Sequence, residues 1–260
     1  MPELERDGQV IAYDFTPDGG AGVITLINGH TRTMRDFKQM TRYLQDSGYG
    51  VLRLDNRGSG GSVATAPFSL DTMAADVRAL WDELGITVSR VLGISMGGWI
   101  AQLLAAAGPD RVSHLLLVST TCRSALAVGA ETPWGNSPEA VRSKLERYFT
   151  PGFTEKNRLL VDAMVREISR KVADGIFIPQ ADMQRQAMAD RDDRAQLPQI
   201  RCPVLIVHGE EDRIIPPAAA EELHRLLDGS RLQLVPACGH LLLAEYSAGL
   251  RDIILREWPG

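Results

Sequence analysis

The segment Arg90–Ile100, RVLGISMGGWI, decides the fold. Arg90 to Ile94 is an apolar run of strand length, and from Gly97 the spacing becomes that of a helix continuing to Ala107. Between them stands Ser95, with Gly93 two residues before it and Gly97 two residues after it. A serine at so sharp a strand-to-helix turn sits in a strained conformation, and side chains at the flanking positions would collide. Glycine removes the Cβ that would do so. The turn lifts the hydroxyl into open space and aims the first N–H groups of the helix at any negative charge forming there. The backbone N–H of Met96 is one candidate oxyanion donor.

Strand-like runs recur on both sides of this turn. Glu3–Arg6 pairs with Gln9–Thr16 across Gly8, and Val23–Ile27, Gly50–Leu54, His114–Ser119, Pro203–Val207 and Arg231–Val235 complete the set. Unbroken apolar runs such as HLLLVS and VLIVHG suit strands buried on both faces of a parallel sheet. Between them, Asp71–Gly85 places Met73, Val77, Leu80, Trp81 and Leu84 on one helical face, with Asp71 expected as N-cap and Gly85 as C-cap. Ala218–Leu227 and Ser247–Trp258 also read as helices. Alternating strands and helices predict an α/β fold, a mostly parallel, doubly wound sheet with right-handed crossovers.

Residues 122–197 break the alternation. A loop-rich opening, CRSALAVGAETPWGNSP, precedes three helical patterns: EAVRSKLERYF, EKNRLLVDAMVREISRKVADG and PQADMQRQAMADRDDRAQ. A structureless loop of that length is rare, so the stretch reads as a helical insertion. The expected organisation is a core of residues 1–121 and 198–260 with the insertion at 122–197.

Composition narrows the function. At 260 residues, 44% hydrophobic and 23% charged, the chain builds a real core. A net charge of −5 and the lack of a basic stripe argue against a nucleic-acid binder. Cys122, Cys202 and Cys238 have no metal-type spacing and suit a reducing compartment. The start of the chain has no secretory pattern, and no apolar run is long enough to span a bilayer. A cytoplasmic protein without a membrane partner is expected.

A serine nucleophile needs a base. Of five histidines, His208 ends a strand, His224 lies within a helix and His114 opens a strand, positions that suit structural or solvated roles. His30 follows a strand, and His240 lies in the loop after the last strand. Position favours His240, because parallel sheets carry their chemistry beyond the carboxyl ends of the strands. The base in turn needs a carboxylate to hold its tautomer. Asp212 in HGEEDRIIPP occupies such a place; Glu210 and Glu211 are rivals better read as a solvated acidic loop.

With these residues in view, the chain resembles the α/β-hydrolase fold superfamily over nearly its whole length, in an esterase-like branch with a helical cap. Besides the serine turn, HGEEDRIIPP resembles that family's acid loop, CGHLLLAEYS its histidine loop, and VLRLDNRGSGGS its D-x-R-G-x-G-x-S loop. The resemblance implies an eight-stranded sheet with 122–197 as a cap between strands six and seven. It also implies Ser95 as nucleophile, His240 as general acid–base and Asp212 as orienting carboxylate. The family's second oxyanion donor follows a His-Gly pair; here the pair is Asn28-Gly29, so the donor would be the main-chain N–H of His30. The His30 side chain is left with two readings, facing substrate or packing the loop. Asp55, Asn56, Arg57 and Ser62 read as structural supports of the site's floor.

The expected activity is serine-dependent hydrolysis of a small to medium, largely apolar carboxylic ester through an acyl-enzyme, with no cofactor or metal implied. Lactone opening, thioester cleavage, cleavage of a carrier-bound methyl ester and C–C bond hydrolysis use the same three groups. A weakly basic insertion leaves room for an acidic carrier protein as partner, although solvated helix faces explain that charge equally. A receptor that binds without turnover is the contrasting class. Trp134, Tyr148, Phe149, Phe153, Met164, Phe177, Met183 and Met188 are candidates to line the acyl pocket, with Met96 at its floor and Trp99 in helix packing.

Overall fold

The computed structural model describes residues 1–127 and 133–258. Residues 128–132, part of the loop-rich opening of the insertion, lie outside the described residues. The strands are β1 (Glu3–Arg6), β2 (Gln9–Thr16), β3 (Val23–Ile27), β4 (Gly50–Leu54), β5 (Ser89–Ile94), β6 (Val112–Val118), β7 (Val204–Gly209) and β8 (Arg231–Val235). They form one sheet in the order β1-β2-β4-β3-β5-β6-β7-β8. Only the β1–β2 and β2–β4 pairings are antiparallel; from β4 to β8 all pairings are parallel.

Parallel neighbours need crossovers, and helices supply them. Helices α1 (Lys38–Asp46), α2 (Leu70–Glu83), α3 (Met96–Ala107) and α8 (Pro217–Leu226) connect successive strands, and α9 (Leu242–Glu245) and α10 (Ser247–Glu257) follow β8. The apolar runs are buried alternately on two faces. Leu115 and Leu117 of β6 pack in one core with α2, α3 and α8, whereas Leu116 and Val118 pack in another with α1 and α10. That two-sided burial is why the strands show no polar alternation.

The cap lies between β6 and β7 and contains α4 (Pro138–Glu146), α5 (Pro151–Lys156), α6 (Arg158–Ala173) and α7 (Phe177–Met188). It has its own apolar cluster around Trp134, Val141, Phe149, Val161 and Ala181. Two of its helical patterns are cut shorter than their periodicity suggests. The second divides at Asn157, whose side-chain amide donates to the Phe153 carbonyl. The third stops at Met188: Asp190 adopts φ 54°, and a bridge between Arg123 and Asp192 ties the chain back toward the core. The N-cap of α2 is Ser69, not Asp71: Ser69 Oγ accepts the Thr72 N–H in a reciprocal capping box, a device contributing about 1 kcal/mol. Helix α1 carries too few apolar residues for its period to stand out in the sequence; Met40 and Leu44 are its buried apolar side chains. Among the described residues, no helix is long and apolar enough to cross a membrane.

Candidate active site

The turn between β5 and α3 is built as its spacing predicts. Ser95 has φ 54° and ψ −118°, a conformation costing a non-glycine residue about 1–2 kcal/mol. A Cβ at Gly93 would overlap the Gly97 carbonyl, and one at Gly97 would overlap the Ile27 carbonyl. The next residue is equally confined, since a Cβ at Gly98 would stand 2.7 Å from the Thr120 side chain. Four groups hold the strained residue. Its N–H donates to the Val118 carbonyl (2.9 Å), and its carbonyl accepts from Gly98 N (2.9 Å), Trp99 N (3.2 Å) and Thr120 Oγ1 (2.7 Å).

Ser95, His240 and Asp212, carried by three separate strand ends, meet at one rim of the sheet. Ser95 Oγ is 3.0 Å from His240 Nε2, and the His240 Nδ1–H donates to Asp212 Oδ2 at 2.7 Å. The other oxygen, Oδ1, accepts the N–H groups of Ile214 (2.8 Å) and Ile215 (2.9 Å). Burial works to raise the Asp212 carboxyl. The attraction of His240 and the hydrogen bonds from His208 and His240 outweigh it and hold the group well below the usual carboxylate range. Glu210 and Glu211 are exposed, while Asp212 is only 5% exposed.

The cap fixes the histidine loop from above. The Tyr148 carbonyl accepts His240 N (2.9 Å) and Leu241 N (3.2 Å), and the Tyr148 ring packs edge-on to the imidazole. Glu245 accepts from Gly239 N through Oε1 and from Thr150 Oγ1 through Oε2, joining loop to cap.

On the other side of Ser95 lies Asn28–Arg32. A Cβ at Gly29 would stand 3.2 Å from Ser95 Cβ, so the backbone here runs directly against Ser95. Among the described residues, neither the Met96 nor the His30 N–H donates to a protein acceptor. The Asn28 amide braces the loop by donating to the Thr33 carbonyl and Asp36 Oδ2, both at 2.9 Å. Both readings of His30 find support: the half-buried residue lines the cavity over Ser95, and its Nε2–H donates to the Ala181 carbonyl of α7 at 2.8 Å. Burial, aided by Lys144 and Arg185, lowers its pKa to about 4, so the ring is neutral at physiological pH.

The glycine-rich loop after β4 is structural. Asp55 accepts Met34 N and Gly61 N, Asn56 donates to the Asn28 carbonyl, and Ser62 donates to the Asp55 carbonyl while accepting Ala12 N. Arg57 makes a buried two-pronged pair with Asp76, at 2.6 and 2.9 Å.

A cavity of about 300 Å³ opens over Ser95 and His240. Trp134, Tyr148, Met164, Phe177 and Met188 line it, and so do Met96 and Trp99. Phe149 and Phe153 do not; they stack on each other in the cap's own core, and Met183 is also away from the cavity. Apolar walls that periodicity did not mark come from Leu160, Ile168, Ile214, Ile215, Leu241 and Leu243. The lining cations Arg32 and Lys171 are each paired, with Asp36 (2.7 Å) and Glu167 (2.8 Å).

His208, read from sequence as a structural strand residue, touches this site. It is fully buried, donates through Nε2 to the Ile215 carbonyl at 2.8 Å and lies 3.3 Å from Asp212 Oδ2. No spacing signal marks it, because a strand residue's distance from a later loop depends on how that loop returns.

Known proteins share this arrangement of strands and loops. The chain is 29% identical over 241 residues to 3-oxoadipate enol-lactonase 2 of Acinetobacter baylyi, covering 88% of this chain and 86% of that one. It is 32% identical over 220 residues to pimeloyl-[acyl-carrier protein] methyl ester esterase of Neisseria meningitidis, covering 78% and 82%. The crystal structure of the enol-lactonase from Burkholderia xenovorans superposes with a TM-score of 0.83 at 25% identity, covering 98% of each chain. The family described as serine aminopeptidase, S33, matches residues 20–247, and this chain belongs to that family of α/β hydrolases.

Proposed function

We propose that the protein is a serine-dependent hydrolase acting on a small, largely apolar and uncharged carboxylic ester. The observation that carries this reading is the continuous chain of hydrogen bonds from Ser95 Oγ through His240 to Asp212 at the floor of an apolar cavity. His240 Nε2 takes the hydroxyl proton as Ser95 Oγ attacks the carbonyl carbon. The N–H groups of Met96 and His30 receive the developing oxyanion. His240 then gives its proton to the departing alkoxide, leaving an acyl-serine. Water, deprotonated by His240, attacks the acyl carbon and releases the acid. Asp212 holds the imidazole in the tautomer that accepts at Nε2 and balances its positive charge. The insertion 122–197 serves as a roof that excludes water while sizing the pocket.

The substrate class follows from the walls. A cavity of about 300 Å³ favours a small acyl group, and its two lining cations already hold carboxylate partners. Opening of a lactone is the second reading, favoured by the likeness to two enol-lactonases. The Neisseria relative, named for an ester on an acyl carrier protein, makes a carrier-bound methyl ester the third substrate to test.

The experiment is a kinetic panel of p-nitrophenyl esters of increasing chain length, neutral and carboxylated lactones, and a carrier-bound methyl ester, each against Ser95→Ala. Serine-dependent turnover with an optimum among short neutral esters is expected. A wild type no faster than Ser95→Ala on every compound, and unlabelled by an active-site phosphonate, rejects the hydrolytic reading in favour of a receptor.

A further inference from the structure

We propose that Gln184, on cap helix α7, is a positioning residue for the oxyanion pocket, acting through the turn that carries the His30 N–H. The inference rests on the serine-hydrolase reading above.

Gly29–Arg32 is a hydrogen-bonded turn, closed by Arg32 N donating to the Gly29 carbonyl at 3.2 Å. Its third residue, Thr31, has φ 62° while His30 does not have positive φ, the pattern of a type II turn. That position favours glycine, and a threonine there would relax to a type I turn if the His30–Thr31 peptide were free to flip. The N–H of that peptide donates to Gln184 Oε1 at 2.7 Å, which opposes the flip. Gln184 itself is fully buried and fixed at its other end, where Nε2 donates to the Arg57 carbonyl (2.7 Å) and Ser59 Oγ (2.8 Å). One turn of helix earlier, the Ala181 carbonyl holds the His30 ring.

His30 is therefore gripped by α7 on both sides of its Cα, through its ring and through the following peptide. Without the Gln184 acceptor the flip, taken up at ψ of His30 and φ of Thr31, releases the turn from α7 on that side, and the adjoining Gly29–His30 peptide loses the anchor that fixes where its N–H points. An oxyanion donor acts only when aimed in advance, so a small misalignment is felt in the transition state more than in substrate binding.

Gln180 provides the internal control. It is also buried on α7 and ties the cap to the core, accepting Ala64 N at 2.8 Å and donating to the Ala64 carbonyl at 2.9 Å. It is absent from the cavity lining and makes no hydrogen bond to Asn28–Arg32.

The test compares Gln184→Met, Gln180→Met and Ser95→Ala in the full chain, measuring kcat, KM, melting temperature and inhibition by an alkylboronic acid, whose serine adduct places an anionic oxygen in the oxyanion pocket. Gln184→Met is expected to lower kcat about 10- to 100-fold and boronate affinity by a similar factor, with KM within about threefold of wild type. Gln180→Met is expected to lose melting temperature while keeping kcat and boronate affinity within about threefold. A folded Gln184→Met with wild-type kcat, or equal kcat losses in both variants, overturns the positioning role. If Gln184→Met does not fold, Gln184→Glu carries the test, because it keeps an acceptor for Thr31 N–H; a fall beyond about tenfold in that folded variant overturns the proposal. Turnover indifferent to Ser95→Ala instead rejects the serine-hydrolase reading, and the positioning role with it.

Discussion

His208 Nε2 lies 3.3 Å from Asp212 Oδ2, the same oxygen that accepts the His240 Nδ1–H at 2.7 Å. Two buried imidazoles thus converge on one carboxylate oxygen, while two backbone N–H groups occupy the other. Removing His208 takes away one of the forces that keep the carboxyl ionised. His208→Asn is expected to retain Ser95-dependent turnover but to lose activity and stability at a higher pH than wild type on the acid side. The sign follows from the depressed Asp212 pKa: its stabilisation is complete above the unfolded carboxyl pKa of about 4 and is lost as pH falls through the folded value. Acid unfolding followed by circular dichroism, beside a pH–rate profile, checks it.

Ser95→Ala and His240→Ala are each expected to reduce kcat/KM by about 1000-fold or more on the best p-nitrophenyl ester. Asp212→Asn should be less severe, and Glu211→Gln nearly neutral, since Glu211 is exposed. A harmless Asp212→Asn beside a crippling Glu211→Gln would reassign the acid.

Gly93→Ala and Gly97→Ala test the steric account of the turn. Each Cβ would overlap a backbone carbonyl that cannot move without displacing a sheet strand or α3. A loss of about 3 kcal/mol or more is expected for each, seen as insoluble expression or a steep fall in melting temperature. An alanine variant as stable as wild type would refute the account.

Trp134 and Phe177 meet edge-to-face at 5.4 Å in the cavity wall. Trp134→Ala and Phe177→Ala enlarge the pocket and should move the preferred acyl chain to longer esters, with kcat/KM for the shortest esters falling. An unchanged chain-length profile in both variants would place the acyl group elsewhere.

His30 titrates near pH 4 because burial disfavours its charged form. The unfolded chain binds that proton near pH 6.5, so the folded state is progressively penalised as pH falls from about 6.5 toward 4. Nitrogen NMR of the imidazole should report a neutral ring at pH 5.5, with Nε2 carrying the proton. A protonated ring at that pH would contradict the burial argument.

Much of the molecule was legible because the signals are local. Gly93, Ser95 and Gly97 define one steric problem within five residues, and runs such as HLLLVS report two-sided burial directly. Helix boundaries were less legible where a distant contact intervenes. The bridge from Arg123 to Asp192 helps end the third cap pattern, and Ser69 takes the cap of α2 because its hydroxyl reaches Thr72 N. Phe149 and Met164 look alike to a periodicity argument, yet the first fills the cap's core and the second faces the cavity.

The order of strands and helices, the serine turn and the charge of the chain were determined by the sequence itself, since each depends on neighbours within a few residues. The tertiary structure alone decided that His208 shares the Asp212 oxygen and that α7 grips His30 and Thr31. Hydrogen bonds and ion pairs act over about 3 Å, and which residues come that close is settled by how the sheet twists and how the cap settles on its rim.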